Sequence, residues 1–192
     1  MEAEEDVARP ETSVREADVG GAMKSGIRVV QAQNADDLAA VRELFWEYLQ
    51  WANANVNAEF SVNFDIASML ERDMQSIEKF SLPTGRLMLG EIDDRVVGVG
   101  CLQRLRPGIG EIKRMYVRPE ARKAGVGRAL LASLMSEAKL AGYSSVRLDS
   151  AGFMRAAHVM YRSAGFHEIE PYPESEIPKE FQRHWVFMER DL

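Results

Sequence analysis

The spacing of apolar residues changes several times along the chain, and each change marks an element. Ile27 to Ala32 (IRVVQA) is a short β-branched run and predicts a strand. Asn34 follows as a helix N-cap, with Asp37 three positions on in the manner of a capping box. Leu38, Val41, Leu44, Phe45, Tyr48 and Leu49 then recur at helical spacing, which predicts a first amphipathic helix. A second is expected from about Asp65 to Lys79, with Ile66, Met69, Leu70 and Ile77 on one face, broken by Leu82-Pro83-Thr84-Gly85. Arg86 to Ile92 and Arg95 to Leu105 read as strands joined by a tight turn at Asp93-Asp94. After Pro107-Gly108 a further strand runs from Glu111 to Val117 and stops at Arg118-Pro119.

The second half is more regular. Leu130, Leu131, Leu134, Met135 and Ala138 trace one face of a helix that begins near Gly125 and closes at Gly142. Ser145 to Asp149 is a strand, and Met154 to Ala164 a helix with Gly165 as its C′ residue. His167 to Glu170 and Arg183 to Asp191 are the last strands, separated by a proline-rich connection. The order β-α-α-β-β-β-α-β-α-β-β places three adjacent strands ahead of the first β-α-β unit. It therefore predicts an α+β domain with a mixed, mostly antiparallel sheet flanked by helices. Residues 1 to 25 lack periodicity and read as a disordered acidic tail ahead of one domain spanning 26–192. Met23, just before the first strand, offers an alternative start.

Composition narrows the class of protein. With 192 residues, 46% hydrophobic and 28% charged, the chain suits one globular domain whose core needs no metal or disulfide. No apolar run approaches the roughly 18–20 residues of a membrane helix. The acidic start has no apolar segment of a secretory signal. One cysteine, Cys101, favours a reducing, cytoplasmic location, and three histidines leave little for a zinc site. A net charge of −6 argues against nucleic acid as a partner and is compatible with a cationic one.

The chemistry concentrates in Arg122-Lys123-Ala124-Gly125-Val126-Gly127-Arg128, between a strand and a helix. A helix N-terminus carries unpaired N–H groups and partial positive charge, so it attracts phosphate. Gly125 and Gly127 let a diphosphate approach the backbone, and Arg122, Lys123 and Arg128 add charge at the same point. A P-loop would need Lys and then Ser or Thr after the last glycine, but Arg128-Ala129 follows. A dinucleotide fingerprint would need a third glycine where Leu130 stands, although Asp149 falls near the place of a ribose-binding acid.

The R-x-x-G-x-G pattern resembles instead the coenzyme A pyrophosphate loop of the GCN5-related N-acetyltransferases. Glu111 to Val117 followed by Arg118-Pro119-Glu120 is similar to that family's central strand and its exit. Ala157 to Phe166 (AHVMYRSAGF) resembles its A-x-x-L-Y-x-x-x-G-F segment. The resemblance covers roughly Arg86 to Leu192, and Ile27 to Phe80 fits the family's variable first half in pattern only. It implies a GCN5-related acyltransferase fold with acetyl-CoA as cosubstrate and no metal. Direct attack by a primary amine, on a small molecule or a peptide, would then follow. Backbone groups of Met115, Tyr116 and Val117 would pair with the pantetheine arm, with the Val117 amide polarising the thioester carbonyl. The oligomeric state is left open, a homodimer included.

The same resemblance points to two side chains. Tyr161 matches the family tyrosine that returns a proton to the CoA thiolate; read from the helix alone, it is a half-buried packing tyrosine. Glu111 matches the glutamate base of histone-acetylating members; read from the strand alone, it is a strand-end carboxylate paired with a Lys or Arg. One departure stands out: Met154 occupies the place where the family often has a pantetheine-contacting Asn. It favours the rival reading, a non-catalytic CoA-binding regulatory domain. His158 and His184 read as surface or packing residues, and Cys101 as core. Phe45, Trp46, Tyr48 and Trp51 read as packing for the most part, with an acceptor pocket as the alternative.

Overall fold

The computed structural model describes residues 26–192. The expected tail and the alternative start at Met23 lie outside them. Among the described residues, seven strands form one sheet in the order β1-β2-β3-β4-β5-β7-β6. These are β1 (Ile27–Gln31), β2 (Arg86–Ile92), β3 (Arg95–Arg106), β4 (Ile109–Val117), β5 (Ser145–Ala151), β6 (His167–Ile169) and β7 (Trp185–Asp191). All neighbouring pairs are antiparallel except β4 and β5. The mixed, mostly antiparallel expectation is thus met. At the β2–β3 hairpin both Asp93 (φ 48°) and Asp94 (φ 63°) are left-handed. A two-residue turn that continues the strand twist has this conformation.

Helices cover both faces. On one lie α1 (Ala35–Phe60) and α2 (Ile66–Gln75), over Leu87, Leu89, Val99, Cys101 and Tyr116. On the other lie α3 (Val126–Leu140) and α4 (Arg155–Ser163), over Leu102, Ile112, Val146, Leu148 and Met188. The expected capping box of α1 is present: Asp37 N–H donates to Asn34 Oδ1 (2.9 Å) and Asn34 N–H to Asp37 Oδ2 (3.2 Å). The second helix is shorter than its periodicity implies. It ends at Gln75, and after Ser76 the chain tightens into a 3-10 turn over Ile77–Phe80. The Ser76 hydroxyl donates back to Arg72 O (2.8 Å), a competing bond that favours a helix end. A short helix, α5 (Lys179–Gln182), interrupts the proline-rich connection, and β7 begins at Trp185 instead of Arg183.

Two departures from a regular sheet matter for the site. Opposite Gly100, β4 carries a bulge at Arg114, whose φ is 55°. A Cβ on Gly100 would come within 2.6 Å of Met115 Sδ, so this glycine makes room for the bulge. The second departure is that β4 and β5 pair only at Ile109–Glu111 with Ser145–Arg147. Beyond that point the two strands diverge and leave a wedge in the middle of the sheet.

Candidate active site

The bulge is held by charge. Arg114 donates two hydrogen bonds to Asp73 of α2, at 2.7 and 2.9 Å. A non-glycine residue at positive φ costs roughly 1–2 kcal/mol, and this bidentate pair fixes it in place. Arg118 N–H donates to Val97 O (2.9 Å), towards β3. Alternation along a strand then turns the main-chain groups of Val117 the other way, into the wedge. In agreement, Val117 O accepts from Arg122 Nε (3.1 Å).

A groove of about 590 Å³ starts in this wedge. Met115, Tyr116 and Val117 line one side of it. Its end is formed by Arg122, Lys123, Gly125, Val126, Gly127 and Arg128. Ala124 stands off it. Lys123 (φ 65°) and Gly125 (φ 112°) are both left-handed, and Gly125 caps α3 without any side chain over the helix start. The first N–H groups of α3 therefore have no intrahelical acceptor and face an open space. A Cβ on Gly127 would meet only Met160 Sδ at 3.5 Å and Val117 Cγ2 at 3.8 Å, ordinary contacts. The protein's own packing therefore does not require a glycine at this position.

The other wall comes from Phe153, Met154 and α4, and it ends at Tyr161. Tyr161 is 6% exposed and packs on Phe166. Burial first, and then the negative fields of Tyr48 and Asp149, push its phenol well above the ordinary range. Met154 does line the groove, so the place of the family's asparagine is apolar here. The aromatic group divides. Phe45 is fully buried in the core, whereas Trp51 lines the groove, with Phe153 at 5.6 Å and the Arg122 guanidinium over its ring at 5.1 Å.

Glu111 lies elsewhere. It is 1% exposed and lines no part of the groove. It accepts from Tyr172 Oη (2.7 Å) and Gln103 Nε2 (2.7 Å), and Lys113 Nζ lies 3.5 Å away. The geometry matches the paired reading of this residue, with Lys113 as its cation. Tyr172, Lys113 and Phe153 had no sequence signal of their own. Period-2 alternation does put Glu111 and Lys113 on one face, but it does not reveal what covers them. Cys101 is fully buried and burial raises its thiol far above the ordinary range, so it is core and no nucleophile. His158 is buried against Ser150 Oγ (3.1 Å), as a packing residue should be. Among the described residues, no three His, Cys, Asp or Glu side chains are placed to hold a metal ion, and no helix is long and apolar enough to cross a membrane.

A bulged central strand, a wedge beside it and a bare helix N-terminus at the wedge define an acyltransferase class of site. Comparison with known proteins agrees. The acetyltransferase (GNAT) family matches residues 38–166. An uncharacterised N-acetyltransferase of Schizosaccharomyces pombe is 31% identical over 157 residues, 80% of this chain and 91% of that one. Among solved structures, the PaiA N-acetyltransferase of Thermoplasma acidophilum in complex with coenzyme A superposes with a TM-score of 0.66. It is 18% identical and covers 86% of this chain and 99% of its own. The Salmonella typhimurium yncA structure with acetyl-CoA superposes at 0.60, with 20% identity and 88% and 95% coverage. The chain belongs to the GNAT acetyltransferase family and is an N-acetyltransferase.

Proposed function

We propose that the protein transfers an acetyl group from acetyl-CoA to a primary amine by direct attack. The observation that carries this reading is the groove running from the Arg122–Arg128 turn, along the free edge of β4, to Tyr161. The amides at the start of α3, with Arg122, Lys123 and Arg128 around them, suit the diphosphate of the donor. Main-chain groups of Met115 to Val117 suit the amides of its pantetheine arm. Val117 N–H, turned into the wedge, is the donor placed to polarise the thioester carbonyl, and preorganised donors of this kind are often the largest catalytic contribution. The thioester supplies the activated acyl group, and the chain supplies placement.

Tyr161 is the candidate acid. A tyrosine is protonated across the neutral range already at its ordinary pKa, and burial only raises it further, so the phenol offers a hydrogen bond to sulfur as negative charge develops there. Glu111 is the base that the family resemblance suggests, but both of its oxygens are engaged by Tyr172 and Gln103. To act as a base it would have to give up one of those partners. The burial of Cys101 supports a mechanism without an acyl-enzyme, and an unpaired thiol in the core suits a cytoplasmic location.

The test is Gly127→Glu. Its carboxylate would occupy the phosphate end of the groove, and acetyl-CoA binding measured by calorimetry is expected to disappear. Unchanged affinity would refute the placement. Gly127→Ala, which meets only ordinary contacts, serves as the folding control.

A further inference from the structure

Aromatic rings from α1, β4 and the β5–α4 connection meet at the wedge. β4 and β5 part after Glu111 and Arg147. Tyr116 stands on the β4 lip of the gap, and Phe153 lies just past the end of β5 at Ala151. Trp51, one turn beyond Tyr48 on α1, reaches both lips. Its ring lies 6.5 Å from Tyr116 and 5.6 Å from Phe153, the second contact edge-on at 75°. Tyr48 touches the same group, 6.4 Å from Trp51 and 6.1 Å from Tyr116. All these separations fall within the roughly 4.5–7 Å at which aromatic rings pack against one another.

One indole therefore closes the gap between the strands on the α1 side, and it is held there. Arg122, bonded through Nε to Val117 O, lays its guanidinium over the Trp51 ring at 5.1 Å and the Tyr116 ring at 5.9 Å. Trp51 and Phe153 are half-buried, and their open sides line the groove. The same groove is lined by Val117 and Tyr161, the groups assigned above to the thioester. Rings packed in this way leave no slot between them. A chain that enters must part them, and close-packed apolar walls resist even one added methylene.

We propose that Trp51 sets the length of acyl chain the enzyme accepts, admitting acetyl and rejecting butyryl and longer straight chains. The proposal rests on the acetyl-CoA reading above. An acetyl group ends in a methyl directly on the thioester carbonyl, so the groove itself is enough for it. Each further methylene extends the chain from that carbonyl into the wedge, against Trp51 and Phe153. Discrimination of this kind is worth about 10-fold or more per methylene. Phe153 limits the same space from the β5 side, but Trp51 is the ring that touches both lips.

Calorimetry with free CoA, acetyl-CoA, butyryl-CoA and hexanoyl-CoA tests this without an acceptor, free CoA being the reference for each protein. In the wild type, butyryl-CoA and hexanoyl-CoA should bind at least about 10-fold more weakly than acetyl-CoA. Trp51→Leu keeps an apolar helix former at the position but shortens it, and it should recover most of that factor. Phe153→Leu should move the butyryl-to-acetyl ratio in the same direction by less. A merely structural role would weaken all the ligands together and leave their ratios where they were. Should far-UV circular dichroism show Trp51→Leu unfolded, Trp51→Phe takes its place, with an intermediate ratio expected. Equal affinity of the wild type for acetyl-CoA and hexanoyl-CoA, or ratios unmoved in the folded Trp51 variant, would overturn the proposal while the donor site stands. Failure of the wild type to bind either free CoA or acetyl-CoA would overturn the reading beneath it.

Discussion

Tyr161 and Glu111 carry the same kind of sequence signal and end in different surroundings. Tyr161 points into the groove with Met160 and Val159 beside it, and nothing but its own ring packing holds it. Glu111 is enclosed by Tyr172, Gln103 and Lys113. We expect Tyr161→Phe to lower turnover by about 10- to 100-fold, within the range for loss of a positioned acid, with acetyl-CoA affinity nearly unchanged. Steady-state kinetics beside calorimetry tests this, and wild-type turnover up to alkaline pH in the variant would remove the residue's role. The tyrosine was legible because its motif is local, within one helix and its C-cap. The environment of Glu111 was not, because Tyr172 is 61 residues away and reaches it only once β6 and β7 have joined the sheet.

At the scale of elements, the bulge in β4 depends on α2. Arg114 is nearly buried, and the hydrogen bonds and charge of Asp73 outweigh the burial that would depress its pKa. Removing one partner of such a pair leaves an uncompensated charge in the interior. Asp73→Ala should therefore cost about 3–5 kcal/mol, read from chemical denaturation, and should weaken acetyl-CoA binding through the disordered bulge. The double replacement with apolar residues of similar size is expected to recover stability without recovering binding. The α2 helix looks, from its sequence, like a mere cover for the sheet. Its contact with Arg114 makes it a support for the active-site strand, and no periodicity in either segment announces that pairing.

Across the whole molecule, the connection between β6 and β7 is strapped over the sheet by Tyr172 on Glu111, Glu176 on Lys113 and Glu174 on Arg106. Burial would raise the Glu176 pKa, but Lys113 and Arg114 outweigh it and hold the carboxylate below its usual range. Glu189 behaves alike through Ser145 and Arg147, again against burial. A carboxyl with a depressed folded pKa contributes stability that is present above its unfolded value, about 4.3 for Glu, and is lost as pH falls through the lower folded value. Thermal melts between pH 6 and 3 should thus show Tm falling on acidification. Glu176→Gln should make that fall shallower; an unchanged slope would mean the strap contact contributes nothing.

The sequence by itself determined most of the elements, their order, the mixed sheet and the glycine turn ahead of α3, because each depends on neighbours within a few residues: period, caps, glycines and a tight Asp-Asp turn. Only the tertiary structure decided how far β4 and β5 stay paired, that Arg114 turns onto Asp73, and that Trp51 bridges the wedge. Those features arise from side chains distant in sequence that meet across strand and helix faces. Charge balance inside a fold is a property of what surrounds a residue, and that surrounding exists only after the sheet has closed over it.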